Sequence, residues 1–175
     1  MIKLQQMLQH PGSRFANKKN SGLTLIEMLV ALVIVSILAS AALPFAEMTL
    51  KRNKELELKR SLRTIRNAID LFHEDWRAGK ISKLSGMASD DGYPVSLSTL
   101  VYGVDFLGPK GGKRYYLRRI PKNPFSKTVD SPEQQWTLRS YQDEPDNAIW
   151  GGQDVYDVRA NYQGLALDGS RIDEW

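Results

Sequence analysis

The feature that most constrains this chain is an apolar run from Leu23 to Leu43. The run holds 21 residues with a single charged side chain, Glu27. As a helix it would be about 30 Å long, which matches the hydrocarbon thickness of a bilayer. Hydropathy alone leaves two interpretations open: a retained membrane span, or a secretory signal cleaved at Ala39-Ser40-Ala41.

Composition restricts the chemistry that the chain can perform. The sequence has no cysteine and two histidines, His10 and His73. This excludes disulfides, cysteine zinc sites and thiol catalysis, and it leaves no histidine cluster for a metal or a serine triad. We therefore expect that the chain is not an enzyme.

The positive net charge is confined to the N-terminal tail. Residues 1–22 contain four of the 24 basic residues and no acidic residue, so the remaining 20 Lys and Arg balance all 20 Asp and Glu. A nucleic-acid binder would need an excess of basic residues. We expect no nucleic-acid partner.

The junction before the apolar run has a specific pattern. It reads Lys18-Lys19-Asn20-Ser21-Gly22-Leu23-Thr24-Leu25-Ile26-Glu27. This resembles the class III signal of type IV pilins and type II secretion pseudopilins, in which a basic leader ends in Gly before an apolar residue, Thr, two apolar residues and Glu. Leu23 stands where the family more often has Phe, and Pro44 where it commonly has a helix-bending proline.

The resemblance implies that a prepilin peptidase cuts between Gly22 and Leu23 and methylates the new amine of Leu23. It also implies that Glu27 pairs with the N-terminal amine of a neighbouring subunit during filament assembly. Thr24 and Glu27 fit a capping box at a helix start as well, and the two roles are compatible. The leader would begin at Met1 or Met7.

Beyond Pro44 the chain becomes highly charged but keeps a helical period. Its apolar stripe consists of Leu58, Leu62, Ile65, Ile69, Phe72 and Trp76. Pro44 lacks an N–H, which predicts a kink, and Gly79 predicts the helix end. The expected organisation is a cleaved leader over 1–22, a transmembrane and filament-core helix over 23–44, an amphipathic stem helix over 45–78 and a globular periplasmic head over 79–175.

The head is rich in turn residues and predicts short strands. These are Tyr115–Ile120, Trp136–Tyr141, Asp154–Arg159 and Gly164–Leu167. A long helix packed on a small antiparallel sheet gives an α+β class, and this is the pilin fold that the resemblance implies.

Parts of the head resemble the major pseudopilin of type II secretion. Tyr93-Pro94 is similar to that family's Tyr-Pro segment, and Arg119–Phe125 to its Leu-Pro-x-Asp-Pro-Trp segment. Val129–Trp150 looks like an insertion, in which Trp136 and Trp150 would be candidates for partner contact if it is an exposed loop.

The same resemblance implies a calcium ion near the C-terminal end of the chain, with Asp168 and Asp173 as ligands. Ca²⁺ takes about six to eight oxygen ligands. Asp168-Gly169 also fits a plain turn without metal.

These observations predict a structural subunit of a type II secretion pseudopilus in the bacterial inner membrane, with its head in the periplasm. The implied partners are copies of itself, prepilin peptidase, an inner-membrane assembly platform and minor pseudopilins. Three alternatives stay open: a type IV pilus, competence or minor pseudopilin subunit; a soluble periplasmic binding module released by signal peptidase; and an uncleaved membrane anchor.

Overall fold

A computed structural model describes residues 22–83, 85–108, 111–126, 129–145, 147 and 149–175. All of the predicted leader except Gly22 lies outside the described residues. The chain divides into two compact units, one ending at Leu43 and the other running from Pro44 to Trp175. Helix α1, Leu25–Arg77, contributes residues to both.

Helix α1 begins and ends at capping residues that the sequence predicted. The backbone N–H of Glu27 donates a hydrogen bond to Thr24 Oγ1 at 3.3 Å, which satisfies one amide of the first turn. Pro44 lies inside the helix, so the helix does not end at Leu43. Gly79 has a φ of 68° and its N–H donates to Trp76 O, as expected of a glycine that terminates a helix.

The head combines short helices with two antiparallel ribbons. Its elements are α2, Leu97–Tyr102; β1, Val104–Asp105; β2, Lys113–Arg114; β3, Trp136–Arg139; β4, Asp157–Ala160; and a 3₁₀ turn, Ile172–Glu174. Strand β1 pairs with β2, and β3 pairs with β4. The α+β class is confirmed, with the strands arranged as two separate pairs.

The predicted apolar stripe of α1 forms one wall of the head core. Leu58, Ile65 and Phe72 are completely buried. The residues that complete the core come from α2, the ribbons, the segment just before β4 and the 3₁₀ turn: Leu97, Leu100, Val104, Trp136, Val155, Val158 and Ile172. Burial of this stripe is what holds the head against the helix.

Two of the predicted strands are wrong. Tyr115–Ile120 is not a strand, because the amides of Tyr116 and Leu117 both donate to Leu100 O and wrap this segment around the end of α2. Gly164–Leu167 does not pair with β4. Instead Leu165 forms an isolated antiparallel bridge with Arg171. We call residues 164–175 the closing turn.

The other two predicted strands are shorter or shifted. Strand β3 ends at Arg139 because Ser140 N–H donates to the Asp143 carboxylate at 2.8 Å and starts a turn. Strand β4 begins only at Asp157. Trp136 is 3% exposed and its Nε1 donates to Pro121 O, so it belongs to the core and is not a surface contact.

Candidate functional site

The predicted cleavage junction is fully accessible. Gly22 is exposed and lies just ahead of α1, and a Cβ built at this position would have no heavy atom within 4 Å. Among the described residues, nothing around this position requires a glycine. A requirement for glycine would have to come from an enzyme that binds the junction closely.

Glu27 lies in the first turn of α1, next to the junction. Its amide is used by the Thr24 cap, whereas its carboxylate has no hydrogen bond or ion pair within the part of the chain that the structure describes. Thr24 therefore caps one amide of the first turn, while the reciprocal bond of a capping box, from Thr24 N–H to the Glu27 carboxylate, is not formed among the described residues. Gly22 and Leu23 lie just ahead of α1 and Glu27 lies in its first turn, and the roles predicted for these three residues stay predictions.

The apolar part of α1 exposes its side chains on all sides. Leu25 is 85% exposed, and Ile37 and Leu38 are exposed by about two thirds. Among the described residues this is the one helix that is long and apolar enough to cross a membrane, judged by length and composition. A contiguous apolar surface of this size requires lipid or other protein around it.

The two predicted calcium ligands lie in the closing turn but do not form a common site. Asp168 Oδ1 accepts hydrogen bonds from both the N–H and the hydroxyl of Ser170. Asp173 forms a bidentate ion pair with Arg171, whose guanidinium also reaches Glu174. Within the described residues no group of three or more acidic or histidine side chains converges. The arrangement does not fit Ca²⁺, since the arginine already neutralises Asp173.

The pKa values of both carboxyl groups are lowered by these contacts. Hydrogen bonds from Ser170 lower the pKa of Asp168, and the Arg171 side chain lowers the pKa of Asp173. A carboxyl group with a lowered pKa in the folded state stabilises the fold above its unfolded pKa and loses that effect as the pH falls through the folded pKa. The closing turn should therefore weaken only in acid, below about pH 4.

Three charged residues hold the head together, and the first of them, Asp75, was not singled out by any sequence pattern. Asp75 is buried and accepts from Lys80, Arg114 and Tyr116. Burial and the neighbouring Asp75 carboxylate raise the pKa of Tyr116. Arg114 and Tyr116 are far from Asp75 in the sequence, and Lys80 belongs to no recognisable motif. No local pattern therefore predicted these contacts.

The second of these residues, Asp154, is buried where two loops meet. Its carboxylate accepts from Ser89 Oγ at 2.7 Å and from Tyr141 N–H at 3.0 Å. The third, Arg66, lies at i,i+4 spacing from Asp70, a spacing that favours an ion pair, but no such pair is present among the described residues. Its guanidinium instead binds the Asp157 carboxylate at 2.8 Å.

Comparison with known protein families gives a match that includes the junction at Gly22 and Leu23. Residues 17–43 match the prokaryotic N-terminal methylation motif. The motif is that of a prepilin leader and is consistent with a type IV pilin-like protein. It covers the end of the leader, of which 17–21 lie outside the described residues, together with the apolar part of α1. No curated protein and no solved structure matches the chain.

The motif and the helix together bear on how the chain is processed and how it is anchored. A prepilin leader implies processing by prepilin peptidase and a pilus-like assembly, and the apolar helix behind it is consistent with membrane anchoring. The motif is common to subunits of pili, pseudopili and competence systems. It does not separate these classes.

Proposed function

We propose that the chain is a structural subunit of a type II secretion pseudopilus, cleaved between Gly22 and Leu23. One observation carries the proposal: the methylation motif opens directly into an exposed apolar helix, with Glu27 in the first turn. In the membrane the helix contacts lipid. In the filament its side chains pack against the same helix of other copies, and packing with neighbours replaces contact with lipid.

In this proposal Glu27 sets the register between subunits. A carboxylate at the edge of the hydrocarbon region is costly unless it is paired. Cleavage creates an ammonium group on Leu23 of every copy, and methylation leaves it charged. Because the Glu27 amide already closes the helix cap, its carboxylate is available for the Leu23 amine of a neighbouring copy.

The proposal also places the chain in the cell envelope. The chain crosses the bacterial inner membrane once, with the leader on the cytoplasmic side and residues 79–175 in the periplasm. An assembly platform extracts it from the membrane, and minor pseudopilins cap the filament that drives protein export. The resemblances at Tyr93-Pro94 and Arg119–Phe125 favour a pseudopilus over a type IV pilus or a competence filament.

The test is the N-terminal residue and the intact mass of the protein recovered from cell membranes. We expect a chain that starts at N-methylated Leu23. Gly22→Phe should abolish this product, whereas Ser21→Ala, which changes the preceding residue, should leave it unchanged. A chain starting at Ala42 would instead make the protein a soluble periplasmic module, and an uncleaved chain would make it a simple anchor.

A second measurement separates the pseudopilus from the other filaments. Deletion of the chain from its host should stop protein export without removing surface pili or DNA uptake. Loss of pili or of DNA uptake with export intact would favour the type IV pilus or competence alternative.

A further inference from the structure

The head separates positive and negative charge along the sequence. Residues 108–128 contain seven basic residues and no acidic one: Lys110, Lys113, Arg114, Arg118, Arg119, Lys122 and Lys127. Residues 85–95 and 140–157 contain seven acidic residues and no Lys or Arg: Asp90, Asp91, Asp143, Glu144, Asp146, Asp154 and Asp157. The net charge of zero after the leader conceals this separation.

The basic segment is fixed to one flank of α1 at two points. Asp75 binds Arg114 and Tyr116. Nearer the N-terminus of α1, Ser61 Oγ donates a hydrogen bond to Lys122 O at 3.3 Å. Ser61 and Asp75 are separated by about four helical turns, so they lie on the same flank.

Four basic side chains of this segment form what we call the basic surface. They are Lys113, Arg118, Arg119 and Lys122, and all four are exposed. Arg118 and Arg119 lie in the chain between the two anchoring points. Within the described residues, none of the four side chains takes part in an ion pair or hydrogen bond, whereas Arg114 is committed to Asp75.

The acidic segments pack on the other flank of α1. His73 Nδ1 lies 3.2 Å from Gly92 O, and its ring stacks on Tyr93 at 4.3 Å between centroids. Tyr141 stacks on Tyr93 in turn. Since His73 and Asp75 are two residues apart, they point about 200° apart around the helix. The loops at 89–93 and 140–144 therefore lie opposite the basic surface.

These loops carry what we call the acidic surface, formed by Asp90, Asp91, Asp143 and Glu144. Asp90 and Glu144 are exposed, and Gln142 Nε2 joins the two loops by donating to Asp91 at 2.9 Å. In the part of the chain that the structure describes, none of the four forms an ion pair with Lys or Arg. Asp154 and Asp157 are excluded from the surface because one is buried and the other binds Arg66.

We propose that the basic surface of one head docks on the acidic surface of the next copy of this chain. The inference rests on the proposed function as a filament subunit. Two different surfaces on opposite flanks make a heterologous contact, in which a docked pair still presents one free surface of each sign. Such a contact extends into an open helical array when the rotation between copies does not close a ring, and an open helical array is the geometry of a filament.

A second copy of the chain complements both surfaces, whereas a polyanion complements only the basic one. A lipid headgroup layer or a nucleic acid would neutralise the basic surface but would be repelled by the acidic one. A copy of the same chain neutralises both, and the balance of 20 basic and 20 acidic residues after the leader allows this along the whole filament. Exposed ion pairs are individually weak and sensitive to salt. The contact between heads therefore determines which heads meet, and packing of the apolar helices holds the filament together.

The absence of native cysteine makes cross-linking in the full-length chain a direct test. Cells would co-express one copy carrying Arg119→Cys and another carrying Glu144→Cys, and filaments would be oxidised in place. We expect a disulfide-linked dimer that contains one copy of each variant. The matched control pairs Arg119→Cys with Arg60→Cys, an exposed stem position outside both surfaces, and should give no dimer.

Charge reversal tests the same contact independently of disulfide chemistry. Arg118→Glu with Arg119→Glu should lower the filament yield, because the basic surface then carries no net charge, and Asp90→Lys with Glu144→Lys should do the same to the acidic surface. The yield should recover when all four substitutions are in the same chain, because the reversed positions of one copy then face reversed positions of opposite charge on the next. Arg60→Glu, which also reverses an exposed charge, should leave the filament yield unchanged.

The outcomes distinguish failure of the docking from failure of the proposed function. If filaments of cleaved chain form but give no Arg119–Glu144 cross-link and tolerate both reversals, the docking proposal is overturned alone. If the unaltered chain is neither cleaved nor assembled, the proposed function fails. If the basic reversal instead abolishes binding of the chain to vesicles of anionic lipid or to DNA while filaments persist, the occupant is a polyanion and not a second copy.

Discussion

Arg66 connects the stem part of α1 to the final strand and the last residue of the head. Its Nε binds Asp157 Oδ1 at 2.8 Å, while Nη2 donates to Val158 O and to Trp175 O. Arg66→Met should lower the stability of the head by about 1–2 kcal/mol, because two carbonyls and a carboxylate lose their donor at a site that is partly solvent-screened. Thermal unfolding of the full chain in detergent measures the effect.

Arg63 provides the matched control for this prediction. It is an exposed arginine on the same helix, with no ion pair among the described residues. Arg63→Met should change stability by less than about 0.5 kcal/mol. Equal losses from the two substitutions would show that Arg66 acts only through its charge on the helix.

The closing turn at 164–175 predicts the response to calcium. Because Asp173 is paired with Arg171 and Asp168 caps its own turn, adding Ca²⁺ or EDTA should leave Tm unchanged. The measurement is thermal unfolding of the full chain with each additive, and Mg²⁺ serves as the control for ionic strength. A rise in Tm that Ca²⁺ alone produces would support Asp168 and Asp173 as ligands and contradict the present geometry.

Among the structural elements, the apolar stripe of α1 contributes most to the head core. Phe72 is completely buried and contacts Tyr116 edge to face. Phe72→Ala should cost about 3–5 kcal/mol, the usual range for removing a buried aromatic ring. The neighbouring Leu71 is 46% exposed, so Leu71→Ala should have a far smaller effect on thermal unfolding.

The milder Phe72→Leu keeps this prediction testable if the alanine variant does not fold. It should still unfold at a lower temperature than the unaltered chain, since it leaves part of the ring volume empty. Equal unfolding temperatures for Phe72→Leu and the unaltered chain would contradict a tightly packed stripe.

Pro44 is a second feature of α1 that can be tested at this scale. A proline inside a helix removes the hydrogen bond to the carbonyl four residues earlier, here Ser40. Pro44→Ala should therefore slow amide hydrogen exchange in the turn that follows. Unchanged exchange would show that the helix is already fully bonded around this position.

Local patterns explain which elements could be predicted from the sequence. The stripe at Leu58–Trp76 and the caps at Thr24 and Gly79 are set by neighbouring residues, and the structure retains all of them. The segment 115–120 was mistaken for a strand because its partner is the carbonyl of Leu100, which no local pattern reveals. Strand pairing depends on contacts between distant residues, and period-two alternation does not identify the partner.

The same distinction applies to the candidate surfaces of the head. The basic and acidic segments are visible as charge runs, but a net charge of zero led to the interpretation that the chain has no unbalanced patch. Their opposite positions depend on the Ser61–Lys122 and His73–Gly92 contacts, which join residues far apart in sequence. Charge summed over a whole chain therefore says little about charge on one flank.

At the scale of the whole molecule, removal of the leader changes the charge of the protein. The full chain has a net charge of +4 and an isoelectric point near 9.3. Residues 1–22 supply all of this excess, so a chain that begins at Leu23 has equal numbers of basic and acidic side chains. A protein without net charge has little long-range repulsion between copies, which favours close association.

Isoelectric focusing of the protein extracted from membranes tests this consequence. The processed chain should focus near neutral pH, and the Gly22→Phe variant, which keeps its leader, should stay strongly basic. Extracted protein that remains basic in the unaltered chain would mean that the leader is retained. Copies carrying four extra positive charges each would then have to overcome mutual repulsion at the membrane end of the proposed filament. In that proposal, cleavage would both expose the Leu23 amine and remove the charge that opposes assembly.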